Sequence, residues 1–182
     1  MDDFRILEVI PVMQRPDLVA KSAGEAISVL RDKEQVGVAE IDPSFSDTVA
    51  FCDHYKISPA QTVNCVVVKA KRADREWYAA CAILATTKAD VNGLVRRHLD
   101  ARRVSFAPMD EAVKETGMEY GGITPIGLPA DWPILIDSAV AKTERITIGS
   151  GIRKSKLILP GNVLANLPNA VVLDKLGAPR EA

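Results

Sequence analysis

The stretch YGGITPIGLP, residues 120–129, sets Gly121, Gly122, Pro125 and Gly127 inside seven residues. Glycine lets another group approach the backbone closely, and proline fixes its own φ while biasing the residue before it, Thr124, toward an extended conformation. The resulting loop is stiff and offers main-chain N–H groups. Such donors stabilise the negative charge that develops on oxygen when an ester carbonyl is attacked, provided that water is largely excluded. The same composition also suits a plain tight connection between a helix and a strand. The rest of the chain has to separate these two possibilities.

Other reactive side chains are sparse. The two histidines, His54 and His98, lie far apart, and Cys52, Cys65 and Cys81 form no CxxC pair, so the spacing of a metal site is missing and neither metal nor cofactor is expected. Cys65 as a nucleophile lacks a recognisable activating histidine. The odd cysteine count, and an N-terminal MDDFRILEVIPVM without the segments of a secretory signal, point to reduced thiols and a cytoplasmic protein.

The elements that must position the loop are legible as an irregular alternation. From Asp17, apolar residues at Val19, Ala23, Ala26, Ile27 and Leu30 recur at helical spacing with an acidic start. An extended VGVAEI follows, then a short helix in SDTVAFCDHYK with Ser46 as its cap. TVNCVVVKA and WYAACAILA are β-branched or apolar runs separated by polar KRADRE, a hairpin signal. ADVNGLVRRHL reads as a helix capped by Asp90, and MDEAVKETG as another stopped by Gly117, immediately before the glycine loop. Strands are expected at PILID, RITIG and KLIL, and a last helix and strand in GNVLANLPNAVVL. Helices mixed irregularly with many strands imply an α+β fold, a mixed and largely antiparallel sheet flanked by helices. The 182 residues suit one domain over 17–182 after an N-terminal extension, 1–16.

With a net charge of −1, no global field draws the chain to a polyanion, and no apolar run approaches the roughly 20 residues that cross a bilayer. Neither membrane nor DNA is an expected partner. Local basic clusters remain: RRHLDARR, with Arg96, Arg97, Arg102 and Arg103, and KAKRADR, residues 69–75. Either cluster is a candidate RNA contact or simply a solvated face.

The segments DPSFSDTVAFCDHYKISPAQTVNCVVVKAK, ADVNGLVRRHLDARRVSFAPMDEAVKETGMEYGGITPIGLP, PILIDSAV and ITIGSGIRKSKLIL, in that order, resemble the YbaK/ProX family across roughly residues 17–167. These are free-standing aminoacyl-tRNA deacylases, also found as the editing insertion of bacterial prolyl-tRNA synthetases. The most specific piece is GGITP, similar to the family's GxxxP loop at Gly121 through Pro125. The resemblance implies hydrolysis of the ester joining a wrongly attached small amino acid to the tRNA terminal adenosine. It places Gly121, Gly122, Thr124 and Pro125 in the catalytic loop. Ile123, Gly127, Asp137, Gly149, Ser150 and Gly151 become pocket-forming positions. The aminoacyl-tRNA acceptor end is the implied partner, with a synthetase as a second one.

One position departs from the family. A lysine is expected near the start of the strand that here reads NCVVV, and Asn64 occupies its place. An amide donates a hydrogen bond but carries no charge. Lys69 should face the opposite side of the strand from Asn64, since residues five apart alternate faces. Lys88, Lys142 and Arg153 are cations that loops could bring in. Two functions follow: a working deacylase that relies on backbone donors with Asn64 orienting the substrate, or a binding protein for tRNA or a small ligand that kept the pocket and lost the chemistry.

Overall fold

Along residues 6–179, which the computed structural model describes, β1 (Ile10–Pro11) leads through two 3-10 turns to α1 (Lys21–Ser28), β2 (Gly37–Glu40) and α2 (Thr48–Tyr55). The expected hairpin follows as β3 (Val63–Arg72) and β4 (Arg75–Leu84), then β5 (Thr87–Ala89), a π-helical turn at Val91–Val95 running into α3 (Arg96–His98), and β6 (Arg103–Phe106). α4 (Met109–Thr116) precedes the glycine loop. β7 (Ile134–Asp137), α5 (Ser138–Lys142), β8 (Ile146–Gly149), β9 (Ser155–Leu159), α6 (Gly161–Ala165), β10 (Ala170–Leu173) and β11 (Gly177–Pro179) complete the described chain.

The strands form a four-stranded antiparallel sheet ordered β1-β2-β9-β8, a five-stranded mixed sheet ordered β10-β7-β4-β3-β6, and a β11-β5 ribbon. Only the β4–β7 and β7–β10 pairings are parallel, so the α+β class and its largely antiparallel pairing hold. The two larger sheets meet where Thr62, just before β3, bridges Thr147 in β8. One face of the four-stranded sheet joins the main core through Val38, Ile146, Ile148, Leu157 and Leu159. The other face, carrying Ala39 and Ile158, packs on Phe51, Cys52 and Tyr55 of α2. That sandwiching fixes α2 over the end of β9. Within residues 6–16, Val12 is 2% exposed and belongs to the main core, while Ile10 and Pro11 pair with β2.

Local chemistry explains where the helices start. α1 begins at Lys21 rather than at Asp17, whose carboxylate is held by Arg15 at 2.8 and 2.9 Å while Pro16–Leu18 form a 3-10 turn. α2 is capped by Asp47, not Ser46: Asp47 accepts from the amides of Val49 and Ala50 at 3.0 and 3.4 Å. A carboxylate there satisfies otherwise orphaned N–H groups and suits the positive end of the helix. Ser46 is thereby displaced one residue outside the helix and buried. Asp90 caps its turn through Gly93 and Leu94 at 3.0 and 2.8 Å, and Gly117 closes α4 in the left-handed conformation, as expected.

Candidate active site

The glycine loop is locked to a second glycine turn, backbone against backbone. Gly151 donates to the carbonyl of Gly122 at 2.7 Å, and Glu119 donates to the carbonyl of Gly151 at 2.9 Å. A Cβ at Gly122 would stand 2.6 Å from the carbonyl oxygen of Ile152, and one at Gly149 would stand 2.6 Å from that of Ile123. Real side chains do not reach such distances, so these two positions exclude everything but glycine unless the loops separate. Much of the glycine content of both segments therefore serves this close crossing.

The crossing forms one wall of a cavity of about 320 Å³ lying between the start of β3, the N-terminus of α2 and the ends of β8 and β9. Among the residues expected from sequence, Asn64, Gly121, Ile123 and Gly149 line it, as does Arg153. Asn64 accepts a hydrogen bond from the Thr48 hydroxyl at 2.6 Å, tying β3 to α2. Gly122 donates its amide to Glu119 O at 3.0 Å, whereas the amides of Gly121 and Ile123 make no hydrogen bond among the described residues. Gly121 also has φ +79°, a conformation that L side chains rarely adopt. Arg153 donates to the carbonyls of Tyr120 and Pro43, both at 3.2 Å, clamping the mouth.

The remaining expected residues stand behind this wall. Thr124 is fully buried with its hydroxyl unpartnered, and Pro125 is buried beside it. Gly127 lies against the backbone of Ser22. Asp137 caps α5 through Ala139 N at 2.7 Å and accepts from the Gly177 amide, so its carboxylate is committed to the backbone. Ser150 is tied within its own turn to Ser155 Oγ at 2.7 Å, and its carbonyl accepts from Ala20 N at 2.9 Å. None of these residues lines the cavity, and the bonds of Asp137 are made at α5 and Gly177, away from the glycine crossing.

Lys156, to which the sequence pattern assigned no role, and Ser46, expected only as a helix cap, complete the cavity. Lys156 of β9 is 6% exposed, and its ammonium donates to the Ser46 carbonyl at 2.8 Å and sits 5.2 Å from the Phe51 ring centroid. Burial lowers its pKa from 10.5 to about 8, against the pull of Asp47 and Cys52. Ser46 is 2% exposed, and its hydroxyl has no partner. The signal for Lys156 was a single charge inside the apolar strand SKLIL, where a lysine must either reach solvent or be buried for a purpose.

The other cations lie elsewhere. Lys69 is held by Glu111 at 3.0 Å and Glu76 at 3.3 Å, which raise its pKa, and Lys88 and Lys142 are exposed and away from the cavity. Cys65 does line the cavity, but burial pushes its thiol well above the ordinary range, leaving no thiolate to attack. Arg96, Arg97, Arg102 and Arg103 are all exposed, and Arg103 sits opposite Lys71 in the β6–β3 register. Lys71 lies seven residue steps along β3 from Asn64, roughly 23 Å at ordinary strand rise.

The aminoacyl-tRNA editing domain family matches residues 42–167, which include every cavity-lining residue. The chain belongs to that family. Its members act on aminoacyl-tRNA, and the matched segment carries the residues that line the cavity. Among solved structures, a candidate trans-editing enzyme for prolyl tRNA synthetase superposes with a TM-score of 0.71 at 18% identity, covering 90% of this chain and 99% of that one. A scaffold protein used for computational epitope grafting superposes with a TM-score of 0.72 at 17% identity, covering 90% and 97%. At such identities the likeness establishes the fold. None of the curated proteins matches the chain. Among the described residues, no helix of this editing-family chain is long and apolar enough to cross a membrane.

Proposed function

We propose that this chain hydrolyses the ester linking a mischarged small amino acid to the terminal adenosine of tRNA, acting as a free-standing deacylase. The observation that carries the reading is the glycine loop itself: Gly121 and Ile123 line the cavity, and their amides make no hydrogen bond among the described residues. Two donors preorganised in a partly closed site are suited to an oxyanion, and fixed donors cost no reorganisation when the charge forms. Gly121, Gly122, Ile123, Thr124 and Pro125 act as one unit in this reading, the first and third presenting the donors and the others holding them. Asn64 and Thr48 together orient the substrate. Gly149 shapes the wall and Gly151 and Ser150 support it, while Gly127 and Asp137 act at a distance, through the packing on α1 and the cap of α5.

The amino acid is sorted by its fit to the cavity walls, each methylene being discriminated by only about 1–3 kcal/mol. The tRNA body runs toward Arg96, Arg97, Arg102 and Arg103, and a synthetase supplies further tRNA affinity, because four exposed arginines on a chain of net charge −1 form a modest electrostatic surface. The test is incubation of the purified protein with alanyl-, seryl-, threonyl- and cysteinyl-tRNA while following loss of the ester. Hydrolysis of at least one is expected. Binding of these tRNAs with no hydrolysis of any would replace the deacylase with a binding protein.

A further inference from the structure

We infer that Lys156 and the Ser46 hydroxyl form the anion-stabilising subsite of this cavity, with the Lys156 ammonium supplying from β9 the positive charge that Asn64 cannot. The inference rests on the deacylase reading and assigns the group that meets the developing oxyanion.

Its geometry begins with register. Lys156 lies directly opposite Gly149 on β8 and Ala39 on β2. Residues paired across a sheet project from the same face, so the lysine emerges on the side where Gly149 abuts the carbonyls of Gly122 and Ile123. Its two lateral neighbours are the smallest available. They leave room for the alkyl chain to lie along the sheet and bring the ammonium beneath the glycine loop, to the carbonyl of Ser46.

The ammonium carries three donors and spends one on that carbonyl. Among the described residues no carboxylate lies within 4 Å of it. A buried charge without a counter-ion is costly, and anchoring one carbonyl is work that a neutral donor could do. The unpartnered Ser46 hydroxyl is a second, independent sign of a missing ligand. It also lines the cavity, and a Cβ on Gly121 would stand 3.5 Å from it. A buried hydroxyl and an incompletely bonded ammonium stand in the same cavity as Gly121 and Ile123, whose amides make no hydrogen bond among the described residues, and together they suit an anionic oxygen. When water adds to the ester carbonyl, a C–O bond forms and the carbonyl electron pair moves onto its oxygen. That oxyanion accepts hydrogen bonds from the Lys156 ammonium and the Ser46 hydroxyl, while the attacking water gives up a proton. Collapse then breaks the ester C–O bond and expels the ribose oxygen of the tRNA, which takes up that proton, leaving a free amino acid.

The charged groups around Lys156 are Asp47 on α2, Arg153 in the turn before β9 and, as neutral thiols, Cys52 on α2 and Cys65 on β3. Tyr120 stands at the loop. The form that acts is the ammonium. The ratio of enzymatic kcat/KM to uncatalysed ester hydrolysis should therefore be level below pH 8 and fall as pH rises through it.

Lys156→Met is expected to keep the fold, as judged by circular dichroism, with a melting temperature at pH 7 no lower than wild type. It should lower kcat on the best substrate of the panel about 10²-fold or more, the usual cost of removing an oxyanion donor. The pair Asn64→Lys with Lys156→Met returns a lysine to the cavity from β3, and it should recover at least tenfold of that loss. A folded Lys156→Met with wild-type kcat, or a relative rate that stays level to pH 10, would overturn the assignment while leaving the deacylase intact. A rise in KM alone would overturn it too, placing the lysine on a phosphate instead. If Lys156→Met fails to fold, the wild-type pH profile decides. No hydrolysis by wild type on any substrate would overturn both.

Discussion

Holding Lys156 charged inside the protein has a thermodynamic consequence that needs no substrate. Burial takes its pKa from 10.5 to about 8, a difference of about 2.5 pH units and so about 3 kcal/mol at 1.36 kcal/mol per unit. Below pH 8 both the folded and unfolded chains bind the proton, and the full cost is present. Between pH 8 and pH 10.5 the unfolded chain retains a proton that the folded chain has released, so the free energy of unfolding rises with pH. The direction is opposite to that of a salt-bridged lysine, whose contribution would be lost in alkali. Urea denaturation of wild type and Lys156→Met at pH 7, 8, 9 and 10 isolates this group, because every other titration is shared and cancels in the difference. Wild type should gain about 2–3 kcal/mol on the variant between pH 7 and 10, following from the two pKa values by linkage. At pH 7 the variant should be the more stable by about 2 kcal/mol, since losing the bond to Ser46 O returns only about 1 kcal/mol of the relief. A difference flat to within about 0.5 kcal/mol across the series would show that the ammonium is solvated, and the argument for a strained buried charge would fail.

Other perturbations follow from the same geometry. Gly122→Ala should destabilise the protein by about 1–3 kcal/mol and abolish hydrolysis, because its Cβ meets the Ile152 backbone rather than open cavity, and equilibrium unfolding with a deacylation assay would detect both losses. Gly121→Ala should fold with a smaller penalty, about 1–2 kcal/mol for its left-handed φ, since its nearest neighbour is the movable Arg153 guanidinium at 3.1 Å. Asn64→Ala should lower kcat only about two- to twelvefold, the worth of one neutral hydrogen bond of about 0.5–1.5 kcal/mol; a thousandfold loss in single-turnover assays would make Asn64 the main catalytic group. Replacing Arg96, Arg97, Arg102 and Arg103 with glutamine should weaken tRNA binding and flatten its dependence on salt, and an unchanged slope in filter binding would remove them from the interface.

What the sequence disclosed, and what it hid, divides along the range of the interactions involved. The β3–β4 hairpin, the Asp90 cap and the Gly117 stop depend on neighbours within a few residues, and each formed where its residues predict. β5, β6 and β11 escaped notice because each is three or four residues long and gains its partner from elsewhere: β6 borrows the edge of β3, and β5 and β11 pair with each other across 87 residues of sequence at Ala89 and Gly177 when counted between them. The expected capping role of Ser46 failed for a local reason, since Asp47 next to it is the better acceptor at a helix N-terminus. The glycine loop was visible, but its reason was half concealed. Gly122 and Gly149 are bare because two loops distant in sequence cross there, which no single-loop pattern can announce.

Lys156 is the sharpest case of what tertiary placement adds. In isolation SKLIL is an apolar strand with one lysine, and alternation allows that lysine to face solvent as readily as protein. What turns it inward is the company on its face: Ala39 and Gly149 on either side leave a channel, and Phe51 of α2 closes above it with an aromatic face that a cation tolerates. The expectation of a lysine where Asn64 stands concerns only one strand position. The cavity draws on four elements, and a charge absent from one wall can enter through another. The proposed working unit is thus a set of donors drawn from several walls of one cavity: the amides of Gly121 and Ile123, the Ser46 hydroxyl and the Lys156 ammonium.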